Sequence, residues 1–94
     1  MGADMNFLHY SFQLSAEDVV EVTLNRRANV RLLDDANFLK YKRKLRHTYY
    51  GGSANQSIVH LAPTHAGHWH VVIDLGGYSG QVKASVSVIK AEHA

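Results

Sequence analysis

Apolar and polar residues alternate along most of this chain with a period of two. Every second residue from Leu8 to Leu14 is apolar, and polar side chains occupy most positions between them. The same alternation recurs at residues 20–24 and 82–88. Successive side chains of a β-strand point to opposite faces of the sheet, so this pattern is typical of strands with one face in the core and one in water.

Further strands are predicted at residues 30–33, 57–61 and 67–75, and Pro63 with a short polar loop separates the last two. Strands this short and closely spaced, joined by local turns, favour a mainly all-β fold. We predict a compact antiparallel β-sandwich or a jelly-roll-like barrel of about seven strands.

One segment departs from the alternation and predicts a short helix near residues 34–44. Phe38 and Tyr41 are three positions apart and Leu45 follows four later, behind Asp34 and Asp35, which suit a helix N-terminus. We expect this helix to cover one open end of the sheets. A long irregular loop is the alternative interpretation.

The glycine-rich run at residues 76–80 is a candidate phosphate cradle, but it lacks both the lysine of a P-loop and the spacing of a dinucleotide fingerprint. We interpret this run as a turn that requires positive φ angles. Gly51 and Gly52 receive the same interpretation.

Length and composition indicate one domain without a membrane span. The chain has 94 residues, of which 46% are hydrophobic, enough for one core but not for two. We assign residues 5–90 to a single sandwich domain, 1–4 to a flexible polar segment and 91–94 to a tail. No apolar stretch approaches the roughly 20 residues that a spanning helix needs. The chain has no cysteine, which excludes disulfides and thiolate metal sites and fits the cytoplasm.

A basic segment with interleaved tyrosines is the first candidate site. Between Arg26 and Arg46 there are eight cationic residues and two acidic ones. Cations with aromatic rings are typical of surfaces that bind single-stranded nucleic acid, a nucleotide or an anionic lipid head group. The alternative is an exposed helix that is basic for solubility, with its tyrosines in the core. The candidate ligand-binding residues are Arg31, Tyr41, Lys42, Arg43, Lys44, Arg46, Tyr49 and Tyr50.

Histidines form the second candidate site. His68 and His70 project to the same face of an extended strand, a spacing used by strand-borne zinc and iron sites. His60 on a neighbouring strand, or Asp74 on the same face, would complete a metal site. The alternative is a pair of ordinary surface imidazoles, because alternation points Trp69 inward and the histidines outward. No cofactor is predicted.

No spacing in the chain reaches the level of a catalytic signature. His68, Asp74 and Ser79 are the residue types of a catalytic triad, but nothing in their spacing supports one. Any chain of this size with seven histidines contains such combinations. We therefore expect a protein that is not an enzyme.

Several motifs carry a family resemblance, and they lie at residues 28–38, 41–42, 49–52, 67–80 and 82–86. In this order and spacing they resemble a bacterial domain-of-unknown-function family of about this length. The resemblance extends over roughly residues 5–89 and implies a small β-sandwich that stands alone or beside TIR signalling domains. It implies no established activity, and therefore no catalytic residues. A looser similarity, at the level of fold only, links the chain to jelly-roll modules of secretion and membrane trafficking that bind ligands or proteins.

These observations lead to three functional hypotheses. The first is a non-catalytic recognition or protein-interaction module, of sensor or adaptor type, that contacts a protein partner or an anionic ligand through residues 31–50 in the bacterial cytoplasm. The second is a metal-binding protein or small metal-dependent enzyme built on His60, His68 and His70. The third is a self-associating structural domain, since an exposed β edge makes a homodimer easy to form.

Overall fold

A computed structural model describes residues 7–76 and 80–90 of the chain. Among these residues, no helix has the length and apolar character to cross a membrane. The predicted composition of about seven strands and one short helix is confirmed. The elements are β1 (Phe7–Leu14), β2 (Val19–Leu24), β3 (Ala28–Asp34), α1 (Asp35–Lys42), β4 (Tyr50–Ala54), β5 (Ile58–Leu61), β6 (Gly67–Asp74) and β7 (Ala84–Ile89).

The strands form two antiparallel sheets that face each other. One sheet has four strands in the order β1-β6-β3-β4, and the other has three in the order β5-β2-β7. Successive strands often change sheet, so that β2 and β5 belong to one sheet while β3, β4 and β6 belong to the other. Of the two predicted arrangements, the sandwich is the one that the described strands adopt.

The main core lies between the two sheets and is built from alternate residues of the strands. The inward faces predicted from the alternation are confirmed for β1, β2 and β7, whose apolar residues at alternate positions are buried in this core or pack against it. The Trp69 indole N–H donates to the carbonyl of His65 at 3.0 Å, so its polar atom is satisfied. The buried residues of this core are Leu14, Val20, Val22, Leu24, Ala28, Val30, Leu32, Leu61, Trp69, Val71 and Ile73.

A second, smaller core lies on the outer face of the four-stranded sheet, where α1 packs. Phe38 and Tyr41 of the helix cover Leu33 of β3 and Val72 of β6. The predicted position of the helix at an open end of the sheets is therefore wrong. Because α1 and the second sheet cover opposite faces of β6, this strand is buried continuously from residue 69 to residue 74.

Both ends of α1 have well-defined caps. The Asp34 carboxylate accepts the backbone N–H of Asn37 at 2.9 Å, as an N-cap residue does. At the other end, Lys44 adopts a φ of 60° and its N–H donates to the Tyr41 carbonyl at 3.1 Å. The Leu45 N–H donates to the Lys40 carbonyl at 2.9 Å, which completes a Schellman motif. The helix is thus shorter than predicted, and Leu45 lies beyond its end.

The glycine pair after Tyr50 is part of a strand, not the predicted turn. Gly51 lies in β4 with a φ of 114°, and a Cβ at this position would stand 2.2 Å from the carbonyl oxygen of Val30. Glycine is needed because the backbones of β3 and β4 approach closely here. In the other glycine-rich run, Gly76 and Gly80 do have positive φ angles, of 64° and 114°. Residues 77–79 of that run lie outside the described residues.

Candidate functional site

The outer face of the four-stranded sheet brings together most of the polar residues singled out above. His68, His70 and Asp74 alternate with the inward-facing Trp69, Val71 and Ile73 of β6, as the strand geometry requires. The side chain of His68 is 44% exposed, whereas that of His70 is only 9% exposed. His70 therefore lies beneath α1 and is not the surface imidazole of the alternative interpretation.

Asp35, the first residue of α1, completes a cluster with these two histidines. Strand β3 ends at Asp34, which is paired with Trp69, so the next residue emerges between the two histidines that flank the tryptophan. Asp35 Oδ1 accepts from Nε2 of His70 at 2.5 Å and from Nδ1 of His68 at 2.8 Å. The three ligand atoms lie within 4.8 Å of one another.

A fourth side chain, His9 of β1, supports His70 from the opposite side. Nε2 of His9 is 2.8 Å from Nδ1 of His70. The Phe38 ring stacks on both imidazoles, with centroid distances of 4.1 Å to His70 and 4.3 Å to His9. Burial, followed by the charges of His70, Lys42 and His68, lowers the pKa of His9. The His70 ring is thus held in place by stacking and by partners at both nitrogens.

The carboxylate of this cluster is ionised over a wide pH range. The hydrogen bond from His70, and then that from His68, lowers the pKa of Asp35 below its ordinary value. A carboxylate must be deprotonated to bind a metal ion. Asp35 and His68 both reach solvent, so the open side of the cluster is accessible.

His60, the predicted third ligand, is not brought to this cluster. It lies on β5 of the other sheet, where its Nε2 is 3.0 Å from Oε2 of Glu21 on the neighbouring strand β2. From the sequence, Asp35 was predicted only to lie at the N-terminus of the helix, and not to be a ligand. No local pattern marks it as a ligand, because its position depends on the pairing of β3 with β6.

Asp74, the other predicted third ligand, is the centre of a separate polar network. Its Oδ2 accepts from Arg31 Nη1 at 2.6 Å and from the Tyr41 hydroxyl at 2.7 Å. Its Oδ1 accepts from Asn29 Nδ2 at 3.0 Å and from the Gly76 N–H at 2.8 Å. Burial alone would raise the pKa of Asp74, but these hydrogen bonds and the Arg31 charge outweigh burial and lower it. This network fastens α1 to the sheet.

The predicted ligand-binding residues are consequently divided among different environments. Arg31 Nη1 and the Tyr41 hydroxyl both donate to Asp74. Burial, followed by the Asp74 hydrogen bond, raises the pKa of Tyr41. The Tyr49 ring lies 5.1 Å from the Arg31 guanidinium carbon, and the Tyr50 ring lies 6.2 Å from that of Trp69. The four remaining cations are exposed around the end of α1, namely Lys42, Arg43, Lys44 and Arg46.

The fold and this outer face define a class: a two-sheet β-sandwich whose larger sheet carries a helix, a histidine–carboxylate cluster and a buried arginine–aspartate–tyrosine network. The chain belongs to the family described as Domain of unknown function (DUF1883), whose profile matches residues 5–92. The predicted resemblance to a domain-of-unknown-function family is thereby confirmed. No curated protein and no solved structure matched the chain.

Proposed function

We propose that this domain is a metal-binding module, and that Asp35, His68 and His70 hold one divalent ion of the zinc type. The observation that supports this most directly is the convergence of two imidazole nitrogens and one carboxylate oxygen within 4.8 Å. Imidazole and carboxylate groups are ordinary zinc ligands, at about 2.0–2.2 Å from the ion.

The movement needed to bind an ion is small. Tetrahedral ligands at such bond lengths stand roughly 3.3 Å from one another. The two nitrogen–oxygen distances, now 2.5 and 2.8 Å, would lengthen by less than about 1 Å. The distance between the two histidine nitrogens, at most 4.8 Å, would shorten by up to about 1.5 Å. Asp35 and His68 are free to adjust because they reach solvent, while His70 provides a fixed point beneath the helix.

His9 would support the ion from outside its coordination shell. A metal on Nε2 of His70 leaves the Nδ1–H of that ring to donate to Nε2 of His9. The lowered pKa of His9 favours the neutral ring, which has a lone pair to accept this bond. Such an outer hydrogen bond orients a ligating imidazole and raises its basicity.

Three protein ligands leave a fourth tetrahedral position on the exposed side of the cluster. A water molecule or a side chain from a partner would fill it, so the proposal is compatible with a recognition role. We assign no reaction to the site. In the described part of the chain, no nucleophile and no further acid–base pair of side chains lies against the open position.

The test is zinc binding by untagged protein, measured by isothermal titration calorimetry and by elemental analysis after dialysis. We expect one ion per chain for the parent protein and at least about tenfold weaker binding for His68→Gln and Asp35→Asn. His60→Gln is the matched control, since it changes an exposed histidine–carboxylate pair on the other sheet. Binding that is absent in the parent protein, or weakened equally by His60→Gln, would overturn the proposal.

A second candidate function is recognition of an anionic partner by the exposed cations at the end of α1. Residues 36–73 contain five lysines and arginines and no acidic residue, and all five lie between positions 40 and 46. Reversal of Lys42, Arg43 and Lys44 to glutamate is expected to abolish retention of the folded protein on a heparin column. Unchanged retention would contradict this function. A sensor or adaptor role in the bacterial cytoplasm is a further proposal that rests on the family resemblance.

A further inference from the structure

The exposed end of α1 combines positive charge with apolar side chains. We define the basic–apolar surface as Leu39, Lys40, Lys42, Arg43, Lys44, Leu45, Arg46 and Tyr49. Among the described residues, six large apolar side chains are strongly exposed, and three of them belong to this surface: Leu39 at 43%, Leu45 at 53% and Tyr49 at 40%. Exposed apolar side chains that are grouped together and rimmed by polar residues are typical of interaction sites, whereas single ones need no explanation.

The Schellman motif explains how Leu39 and Leu45 come to share this surface. The N–H of Leu45 donates to the Lys40 carbonyl, so the chain folds back against the last turn of the helix. Leu45 is the second residue after the C-cap Arg43. In a Schellman motif, an apolar residue at this position commonly contacts a residue in the last turn of the helix, at a position that corresponds to Leu39. Leu45, which lies between Lys44 and Arg46 in sequence, is thus brought back to the last turn of the helix, where Leu39 is followed by Lys40.

Lys44 occupies a backbone conformation that glycine adopts more easily. Its φ of 60° makes it the one non-glycine residue with positive φ among residues 7–76 and 80–90. This is the left-handed position of the Schellman motif, which glycine usually occupies. Here a lysine occupies it and adds an exposed cation to the turn.

Among residues 7–76 and 80–90, no cation of this surface forms an ion pair with a carboxylate. The acidic residues closest in sequence are Asp34 and Asp35, at the opposite end of α1. Lys42 lies against the Phe38 ring, 5.0 Å from its centroid, and the neighbouring Arg43 is exposed at the end of the helix.

We propose that the basic–apolar surface binds an anionic lipid bilayer, with the leucines entering the interface and the cations contacting head groups. This inference rests on the second candidate function and names its partner. Single-stranded nucleic acid is less favoured, because it is bound by stacking on aromatic rings and leucine offers no ring. The only tyrosine of the surface, Tyr49, already lies against Arg31. Aliphatic side chains flanked by lysine and arginine are typical of interfacial binding.

The experiment is co-sedimentation of the whole chain with phosphatidylcholine vesicles, with and without phosphatidylserine. We expect binding only when phosphatidylserine is present. Each cation near such a surface contributes about fivefold to the partition constant, so replacing Arg43, Lys44 and Arg46 by glutamine is expected to weaken binding by roughly 100-fold. Leu45→Ser is expected to weaken it severalfold at unchanged charge.

Two variants outside the surface serve as matched controls. Arg26→Gln removes an exposed cation of the β2–β3 loop, and Ile58→Ser removes a 50% exposed apolar side chain of the other sheet. Both are expected to bind vesicles like the parent protein. Equal losses in the control and surface variants would overturn the proposal.

The outcomes also separate this inference from the function on which it rests. Retention on heparin without vesicle binding would overturn the bilayer proposal and leave anion recognition standing. Absence of both would overturn both. Binding of a single-stranded oligonucleotide by the parent protein, without vesicle binding, would assign the surface to nucleic acid instead.

Discussion

Replacing Asp74 with asparagine tests the network that fastens α1 to the sheet. The carboxylate accepts four hydrogen bonds, two at each oxygen, and its partner Arg31 has only 19% of its side chain exposed. Asparagine keeps one oxygen and turns the other into a donor that faces two donors. The variant therefore loses two hydrogen bonds and leaves the Arg31 charge without its carboxylate.

The expected cost follows from these losses. Breaking a buried ion pair by removing one partner costs about 3–5 kcal/mol, and the residual exposure of Arg31 places this case at the lower end, about 3 kcal/mol. A domain of this size has a free energy of unfolding of about 5–14 kcal/mol. Asp74→Asn is thus expected to remove between about a fifth and three-fifths of the free energy of unfolding.

Urea denaturation followed by the fluorescence of the single tryptophan measures this change. With a slope of about 1–1.5 kcal/mol per molar urea, the midpoint is expected to fall by about 2–3 M. Glu21→Gln is the control, because it breaks a half-exposed pair with His60 and is expected to cost less than about 1 kcal/mol. Equal effects of the two substitutions would refute the reasoning.

The same variant makes a prediction about pH. The pKa of Asp74 is lower in the folded protein than its ordinary value of 3.8. Its contribution to stability is therefore fully present above that ordinary value and is lost as the pH falls through the folded-state value. The difference in stability between the parent protein and Asp74→Asn is expected to be constant near neutrality and to shrink below about pH 4. A difference that stays constant at acidic pH would contradict the assignment.

Three further predictions concern the backbone and the helix. Gly51→Ala is expected to lower the free energy of unfolding by about 2–4 kcal/mol in urea, because the new Cβ would collide with a carbonyl of β3. Gly52→Ala is its control: a Cβ there has nothing within 4 Å, so the loss is expected to be only about 1 kcal/mol, from the positive φ. Phe38→Ala is expected to lower the free energy of unfolding by about 3–5 kcal/mol and to speed amide hydrogen exchange in α1, since it removes a large contact between the helix and the sheet. Slow exchange in the variant would contradict this. Lys44→Gly is expected to raise the melting temperature by about 4–8 °C, because glycine adopts the positive φ of this position without steric strain. Arg43→Gly is the control and is expected to lower the melting temperature, since Arg43 has a negative φ. A lower melting temperature for Lys44→Gly would be contrary to the cap geometry.

The sequence by itself determined six of the seven strands, the inner core and the start of the helix, whereas β4 was missed because Gly51 and Gly52 resemble a turn. Strand alternation is a local property of the chain, so the inward faces of β1, β2 and β7 follow from side-chain polarity alone. The same local geometry placed His68 and His70 on one face. Asp34 marked the beginning of α1 because an N-cap carboxylate acts within its own turn.

Only the tertiary structure decided which of these residues meet. The pairing of β3 with β6 brings Asp35 to the two histidines, 33 and 35 residues away in sequence, and the assignment of β5 to the other sheet removes His60. Packing of α1 on the outer face buries His70 and joins Arg31 and Tyr41 to Asp74, which divides the basic segment. Sheet membership and helix placement depend on the burial of apolar surface between segments distant in sequence, and no local periodicity carries that information.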